Sequence, residues 1–271
     1  MKPKRPHGVL LLLLGLALAG LHTADLMLWT DPYTGFAQQG PVWARYLVWG
    51  AALLLPYLPA RRAAPQPAAL ADRCPALGAC LLLAGGLLAA GAVVVLAALL
   101  PTGAAALPAS VWADAVLPLL AGLWLGWYGI RAFMGYGIRR ERLGRPLLAV
   151  VLPLCALWRL VWRFQFVPAS LARLPCTLRV LSAVAALLFA VVLLKVFLVP
   201  GFACGHTLYA AGAGCFLLCT GLELPQTLWE AAGGLLTLPD LLSGLGWAAF
   251  GVGGLVCAWA ACGPDTTEET A

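Results

Sequence analysis

Apolar residues come in long runs along this chain, and each run is broken by a short polar, glycine- or proline-rich stretch. The first run covers 8–29, and others cover about 41–59, 76–100, 111–134, 147–168, 176–199, 203–223 and 242–262. At a rise of about 1.5 Å per residue, roughly 20 apolar residues in a helix cross the hydrocarbon core of a bilayer. The alternation at period two that marks a barrel strand is absent. Backbone groups in hydrocarbon must bond within their own segment, so these runs predict helices. The breaks read as turns and loops: "TDPYTGFAQQGP" after the first run, "ARRAAPQPAALADR" after the second, "PTGAAALPAS" after the third and "GYGIRRERLGR" after the fourth.

The pattern therefore predicts an all-α fold, a polytopic transmembrane helix bundle of about eight spans. Seven spans plus a re-entrant segment is the alternative. Residues 1–263 form one transmembrane domain, and the acidic tail 264–271 is expected to be disordered. The first run also permits a signal peptide, because Ala17-Leu18-Ala19 has the A-x-A form of a cleavage site. Apolar residues resume after Asp25, so the run is long enough to span, and the choice does not alter the topology downstream.

Composition supports lipid as the solvent. The chain has 271 residues, 62% of them hydrophobic and 10% charged, with a mean hydropathy of +0.92. A soluble domain carries about 25% charge. The net charge of +6 does not point to nucleic acid, because the arginines cluster in short loops, as they do on the cytoplasmic side of membrane proteins.

Orientation follows from those arginines. With Lys2, Lys4 and Arg5 inside, counting spans places Arg61, Arg62 and Arg73 inside as well. The densest positive run, with Arg139, Arg140, Arg142 and Arg145, falls on the same side and is the expected topology determinant. The fifth run, "LPLCALWRLVWRFQF", complicates the count. If 147–158 only dips into the bilayer, Lys and Arg divide 15 inside to 2 outside; if the run crosses, they divide 12 to 5. Charge counting favours the dip. Length favours the crossing, and a dip leaves non-spanning backbone at membrane depth. Crossing also gathers Asp25, Asp31, Asp114, Glu223, Glu230 and Asp240 on the outer side with Arg45, Arg159, Arg163, Arg173 and Arg179. The expectation is a multi-pass plasma (cell) membrane protein with a cytoplasmic N-terminus.

Ionisable residues at membrane depth are costly and pair or snorkel, so the candidate site is a polar cluster in the outer half of the bundle. Its members are Arg159, Arg163, Asp25, Asp114, Glu223 and His22. Arg159 and Arg163, four apart, share a helix face, with Trp158, Trp162 and Phe166 as a neighbouring stripe that reads as aromatic packing or an interfacial belt. Asp25 and Asp114 are the expected partners of the arginines, with Glu223 third, because Pro225 is expected to turn it toward water. His22 and Asp25 read as a polar helix end, with a proton-relay pair as the alternative. Glu223 and Glu230, seven apart, are expected to flank an interfacial turn. Gly122 and Gly126, Gly86 and Ala90, and Ala249 and Gly253 have the small-residue spacing that lets helices pack closely.

Little here suggests catalysis. The nine cysteines include no CxxC and lie mostly in apolar runs, where thiols act as small hydrophobes. Cys204-Gly-His206 lacks a matched second pair of metal ligands. No P-loop, HExxH or GxSxG motif occurs, and no metal or other cofactor is expected.

Three stretches, "DPYTGF" (31–36), "LPLCALWRLVWRF" (152–164) and "GCFLLCTGLELPQTL" (214–228), resemble a group of bacterial multi-pass membrane proteins without an assigned function. The resemblance implies a charged cytoplasmic link before the last stretch, whereas here that link is only Lys195 to Phe202. It implies no chemistry. The expected function is a non-catalytic membrane component, an assembly partner or sensor that contacts the bilayer and a membrane protein partner. A transporter of small solutes or ions through the charged outer cluster is the alternative.

Overall fold

The computed structural model describes residues 8–31, 33–70, 73–102, 108–134, 146–165, 173–198 and 203–263. The described residues form a helical bundle without strands; two isolated bridges join Thr30 to Ala37 and Phe36 to Arg173. The helices are α1 (Gly8–Trp29), α2 (Val42–Leu54), α3 (Pro75–Leu99), α4 (Ala109–Met134), α5 (Val151–Gln165), α6 (Leu174–Leu198), α7 (Gly205–Ala232) and α8 (Leu238–Ala261). Single helical turns at Tyr57–Ala60 and Pro146–Ala149 extend the paths of α2 and α5. Six helices are long and apolar enough to cross a membrane: α1, α3, α4, α6, α7 and α8. Arg139, Arg140, Arg142 and Arg145, the remnant of the basic loop and the tail 264–271 lie outside the described residues.

Burial is inverted relative to a water-soluble protein. Leu10, Leu13, Leu16, Leu21 and Leu28 of α1 are exposed, while His22 and Asp25 of the same helix are buried. An apolar face this extensive has no stable place in water. In lipid it costs nothing, and the polar residues withdraw to the bundle interior.

The bundle has two distinct ends. At one, Gly8 packs against the Trp259 ring, and the Ala64, Gly205 and Cys74 N–H groups donate to the Ala261, Pro65 and Ala132 carbonyls at 2.8, 3.0 and 3.2 Å. At the other, the loop after α1 bridges to Arg173, and Gly91 of α3 packs against the Pro239 carbonyl. Met134 thus ends α4 at the Gly8 end, and Arg173 precedes α6 at the Trp29 end.

Glycine sets the closest helix contacts. A Cβ on Gly85 would stand 2.5 Å from the Gly122 carbonyl oxygen, and one on Gly122 would stand 2.6 Å from that of Gly85. Gly212 and Gly254 join α7 to α8 in the same way, with 2.5 and 2.6 Å. The expected Gly122–Gly126 face is the one that meets α3, while the other two expected faces are displaced by one position: open space lies beside Gly86, and Gly254 rather than Gly253 makes the tight approach. Spacing of four tells which residues share a face. In a helix apolar all round it does not tell which face meets a neighbour. The interior is otherwise filled by Leu77, Leu81, Leu88, Leu125 and Leu152, with Phe189, Phe250 and Trp247 in edge and tilted ring contacts.

The second correction concerns α7. A turn was expected near Pro225, but the helix continues to Ala232. Proline gives no N–H, and its ring crowds the carbonyl four residues back in a regular α-helix. Here Phe216–Glu223 is π-helical, and Pro225 falls in the first turn of the α-helical piece that follows. The wider turn ends just before the proline and accommodates it. Thr220 ties the segment to α8 by donating to the Ala248 carbonyl at 2.8 Å.

Candidate functional site

Arginines and carboxylates meet toward the Trp29 end, whereas Arg131 and Lys195 lie in the last turns of α4 and α6 toward the Gly8 end. Arg45 with Asp25, Arg159 with Glu223 and Arg179 with Glu230 pair there, and each pair joins two helices. Arg45 of α2 bonds Asp25 of α1 from Nε at 2.8 and 2.9 Å to the two carboxylate oxygens, and its Nη2 donates to the Gln39 carbonyl at 2.8 Å. Arg179 of α6 pairs with Glu230 of α7. Gln226, one turn before Glu230, donates Nε2 to the same carboxylate at 2.8 Å. Arg159 of α5 donates Nη2 to Glu223 Oε1 of α7 at 2.5 Å.

The Arg159 pair is the most deeply placed. The Arg159 side chain is 8% exposed and that of Glu223 2%. Continuation of the helix through Pro225 turns Glu223, Gln226 and Thr227 inward, which overturns the expectation of a water-facing Glu223 and of an interfacial turn flanked by Glu223 and Glu230. The Arg159 guanidinium also lies over the Trp247 ring of α8, 4.7 Å from its centroid, where a buried cation gains from the ring quadrupole. One side chain thereby connects three helices.

Arg159 lines a cavity of about 140 Å³. Asp114 of α4, Trp158 and Trp162 of α5, and Asp240 and Ser243 of α8 line it too. Trp158 and Trp162 stack with centroids 5.7 Å apart, so the expected aromatic stripe forms part of this wall. Arg159 Nε and Nη1 and Trp158 Nε1 are buried without a hydrogen-bond partner among the described residues.

The predicted cluster is thus divided. Asp114 lies at the same cavity as Arg159, while Asp25 pairs with Arg45 and Arg159 pairs with Glu223 instead. His22 is buried, its ring edge-on to Trp49 at 5.7 Å, and neither ring nitrogen has a hydrogen-bond partner among the described residues. With Asp25 bound to Arg45, the two do not form a hydrogen-bonded relay pair. Arg163 lies on the described backbone of α5, and its side chain lies outside the described residues, as does Phe166.

Gln226, Trp247 and Ser243 were missed. Gln226 had a signal: it stands four residues before Glu230, the spacing of a side-chain pair on one helix face. Trp247 had none, since a tryptophan in an apolar span is ordinary. Among the described residues no three His, Cys, Asp or Glu side chains come together as a metal site. Comparison with protein-family models, curated proteins and solved structures gave no match.

Proposed function

We propose that the chain is an integral plasma-membrane protein of eight spans, with the Gly8 end cytoplasmic, that serves as a non-catalytic membrane component, a sensor or assembly partner. Six spans are the long apolar helices. The other two are α2 and α5, each extended by an adjoining helical turn. The opposite placement of Met134 and Arg173 supports a crossing α5.

The observation that carries the functional reading is the set of three arginine–carboxylate pairs, each joining two helices at one end of the bundle. A transport pathway needs charged groups that exchange partners with the solute as helices move. Here Asp25, Glu223 and Glu230 are each engaged by an arginine from another helix. The charges act as cross-links.

The cavity beside Arg159 favours the second reading, a transporter. Purified protein in proteoliposomes distinguishes the two. We expect fluxes of protons, alkali cations, chloride and small amino acids no greater than in protein-free vesicles. Saturable flux that disappears in Arg159→Lys would overturn the non-catalytic reading.

A further inference from the structure

α1 and α7 run side by side in the same direction, from the Gly8 end to the Trp29 end. They touch at a seam of small residues and one ring. Phe216 lies against Gly15, where a Cβ would stand 2.3 Å from the ring, and a Cβ on Gly221 would stand 3.5 Å from the Gly15 carbonyl oxygen. Beside this seam the two helix surfaces leave a furrow of about 630 Å³. Its walls follow the helix period. α1 contributes Leu12, Leu16, Ala19, Thr23 and Met27, spaced by three and four, and α7 contributes every fourth residue from Phe216 to Leu228. Gly251 of α8 packs on the Cys215 carbonyl, which sets Val252 and Leu255 at the inner end of the furrow, level with Phe216. The floor is buried at Gly15, Phe216 and Gly221, while the rim at Leu16, Met27 and Leu228 is more than half exposed.

These dimensions select what fills it. The step from Leu12 to Met27 covers about 22 Å of helix axis at about 1.5 Å per residue. Spread over that length, the volume leaves a cross-section of roughly 30 Å². A helix with its side chains is about 10–12 Å across, so it would bridge the rim and leave the floor uncovered. Chemistry points the same way. Helices in lipid associate through small residues and interhelical hydrogen bonds. The rim here is leucine and methionine, and the wall hydroxyls are occupied: Thr23 donates to the Ala19 carbonyl at 2.7 Å and Thr220 to the Ala248 carbonyl at 2.8 Å. Water does not suit an apolar furrow, since it needs polar partners. Left empty, the lining would lose its dispersion contacts on one side. A single hydrocarbon chain is thin enough to reach the floor and apolar enough to stay. Trp229 lines the furrow at the Trp29 end, and tryptophan is the side chain that marks bilayer interfaces.

We propose that this furrow holds one acyl chain of a membrane phospholipid as a fixed part of the seam between α1 and α7. The chain enters beside Trp229, and its methyl end lies against Leu16 and Phe216. The site goes beyond the function proposed above and does not depend on it.

The test uses the full chain in vesicles of phosphatidylethanolamine and phosphatidylglycerol, doped with a phospholipid that carries a diazirine at the end of one acyl chain. Labelled residues are mapped by peptide mass spectrometry after illumination. Leu83 of α3 is the internal reference. It is 59% exposed, as is Leu16, and both stand eight residues from the start of their helices at the Gly8 end. Label at Leu16 and Phe216 should exceed that at Leu83 about tenfold, the ratio that 1.4 kcal/mol of preference gives. Ala19→Phe places a ring in the furrow and should bring label at Leu16 down to the Leu83 level. Ala232→Phe, nearer the entrance, should do the same, while Gly50→Ala, which faces open space on α2, leaves the ratio unchanged. Should one filling variant fail to fold, the other and the native ratio decide. Equal label at Leu16 and Leu83 in the native chain would overturn the proposal and leave the furrow to passing bulk lipid. So would excess label that persists in both filling variants. A dimer in detergent that Ala19→Phe converts to monomer would overturn it in favour of a second copy of this chain. None of these outcomes alters the vesicle-flux result, which alone decides between the non-catalytic and transport readings.

Discussion

Arg159 on α5 and Glu223 on α7 meet at 2.5 Å although 64 residues separate them. The contact joins two helices, and the guanidinium lies over Trp247 of a third. Removing one partner leaves the other charge buried and unmatched, which costs about 3–5 kcal/mol; removing both at once costs less than the sum. Arg159→Met and Glu223→Gln should each lower the thermal midpoint in detergent markedly, and the double variant should recover part of the loss. Additive losses in this cycle would show that the pair is not coupled.

The contact between α3 and α4 depends on the absence of side chains at Gly85 and Gly122. Gly85→Ala places a Cβ 2.5 Å from a backbone oxygen, which cannot rotate away, so the helices must separate. Overpacking of this kind costs about 1–3 kcal/mol. Gly86→Ala, one residue on, meets nothing and should be neutral, or stabilising by about 0.5–1 kcal/mol through helix propensity. Thermal unfolding of the two variants side by side checks the register. Equal losses would mean that the face is wrong.

These two contacts show what could be read along the chain. Helix positions were legible because hydrocarbon demands long uninterrupted apolar runs, and Gly8–Trp29 and Pro75–Leu99 follow those runs within a residue. The reading failed at Pro225, where a π-helical segment carries the helix past a residue that ordinarily ends one. That failure hid the inward positions of Glu223, Gln226 and Glu230. The charges of the site were legible as a group, since ionisable residues in apolar runs are few. Their pairing was not. Whether Arg159 meets Asp25 or Glu223 depends on which helices are neighbours, and a helix apolar on every side does not specify its neighbours.

The loop after α1 should respond to acid. Asp31 accepts from the Thr34 hydroxyl and from the Tyr33 N–H at 3.2 Å, and these bonds hold its carboxyl below the usual value. The loop closes through the Gly35 N–H on the Asp31 carbonyl at 2.9 Å, with Gly35 at φ +69° against Pro175. A carboxyl depressed in the folded state contributes order that is complete above its ordinary pKa of about 3.9 and is lost as pH falls toward the folded value. Limited proteolysis at residues 31–36 should therefore quicken below about pH 4 in the native chain. Asp31→Asn should be cleaved faster at neutral pH and lose most of the acid response. An identical pH profile in the variant would remove Asp31 from the account.

Topology decides on which side of the membrane the Arg159–Glu223 end of the bundle lies. Ala132 near the end of α4 accepts from Cys74, at the end that also holds Gly8, Ala64 and Ala261. Arg173 bridges Phe36, at the end that holds Glu230. Met134 and Arg173 therefore stand at opposite ends of the bundle, which favours the proposed crossing of α5 over a segment that dips and returns. A phosphatase or fluorescent reporter fused after Gly263 should read cytoplasmic, and one fused after Pro168 should read external. The basic run at Arg139, Arg140, Arg142 and Arg145 lies on the cytoplasmic side in this arrangement, where positive residues resist translocation. Replacing all four with serine should produce a mixed population in both reporters. A cytoplasmic reading after Pro168 in the native chain would mean that α5 does not cross.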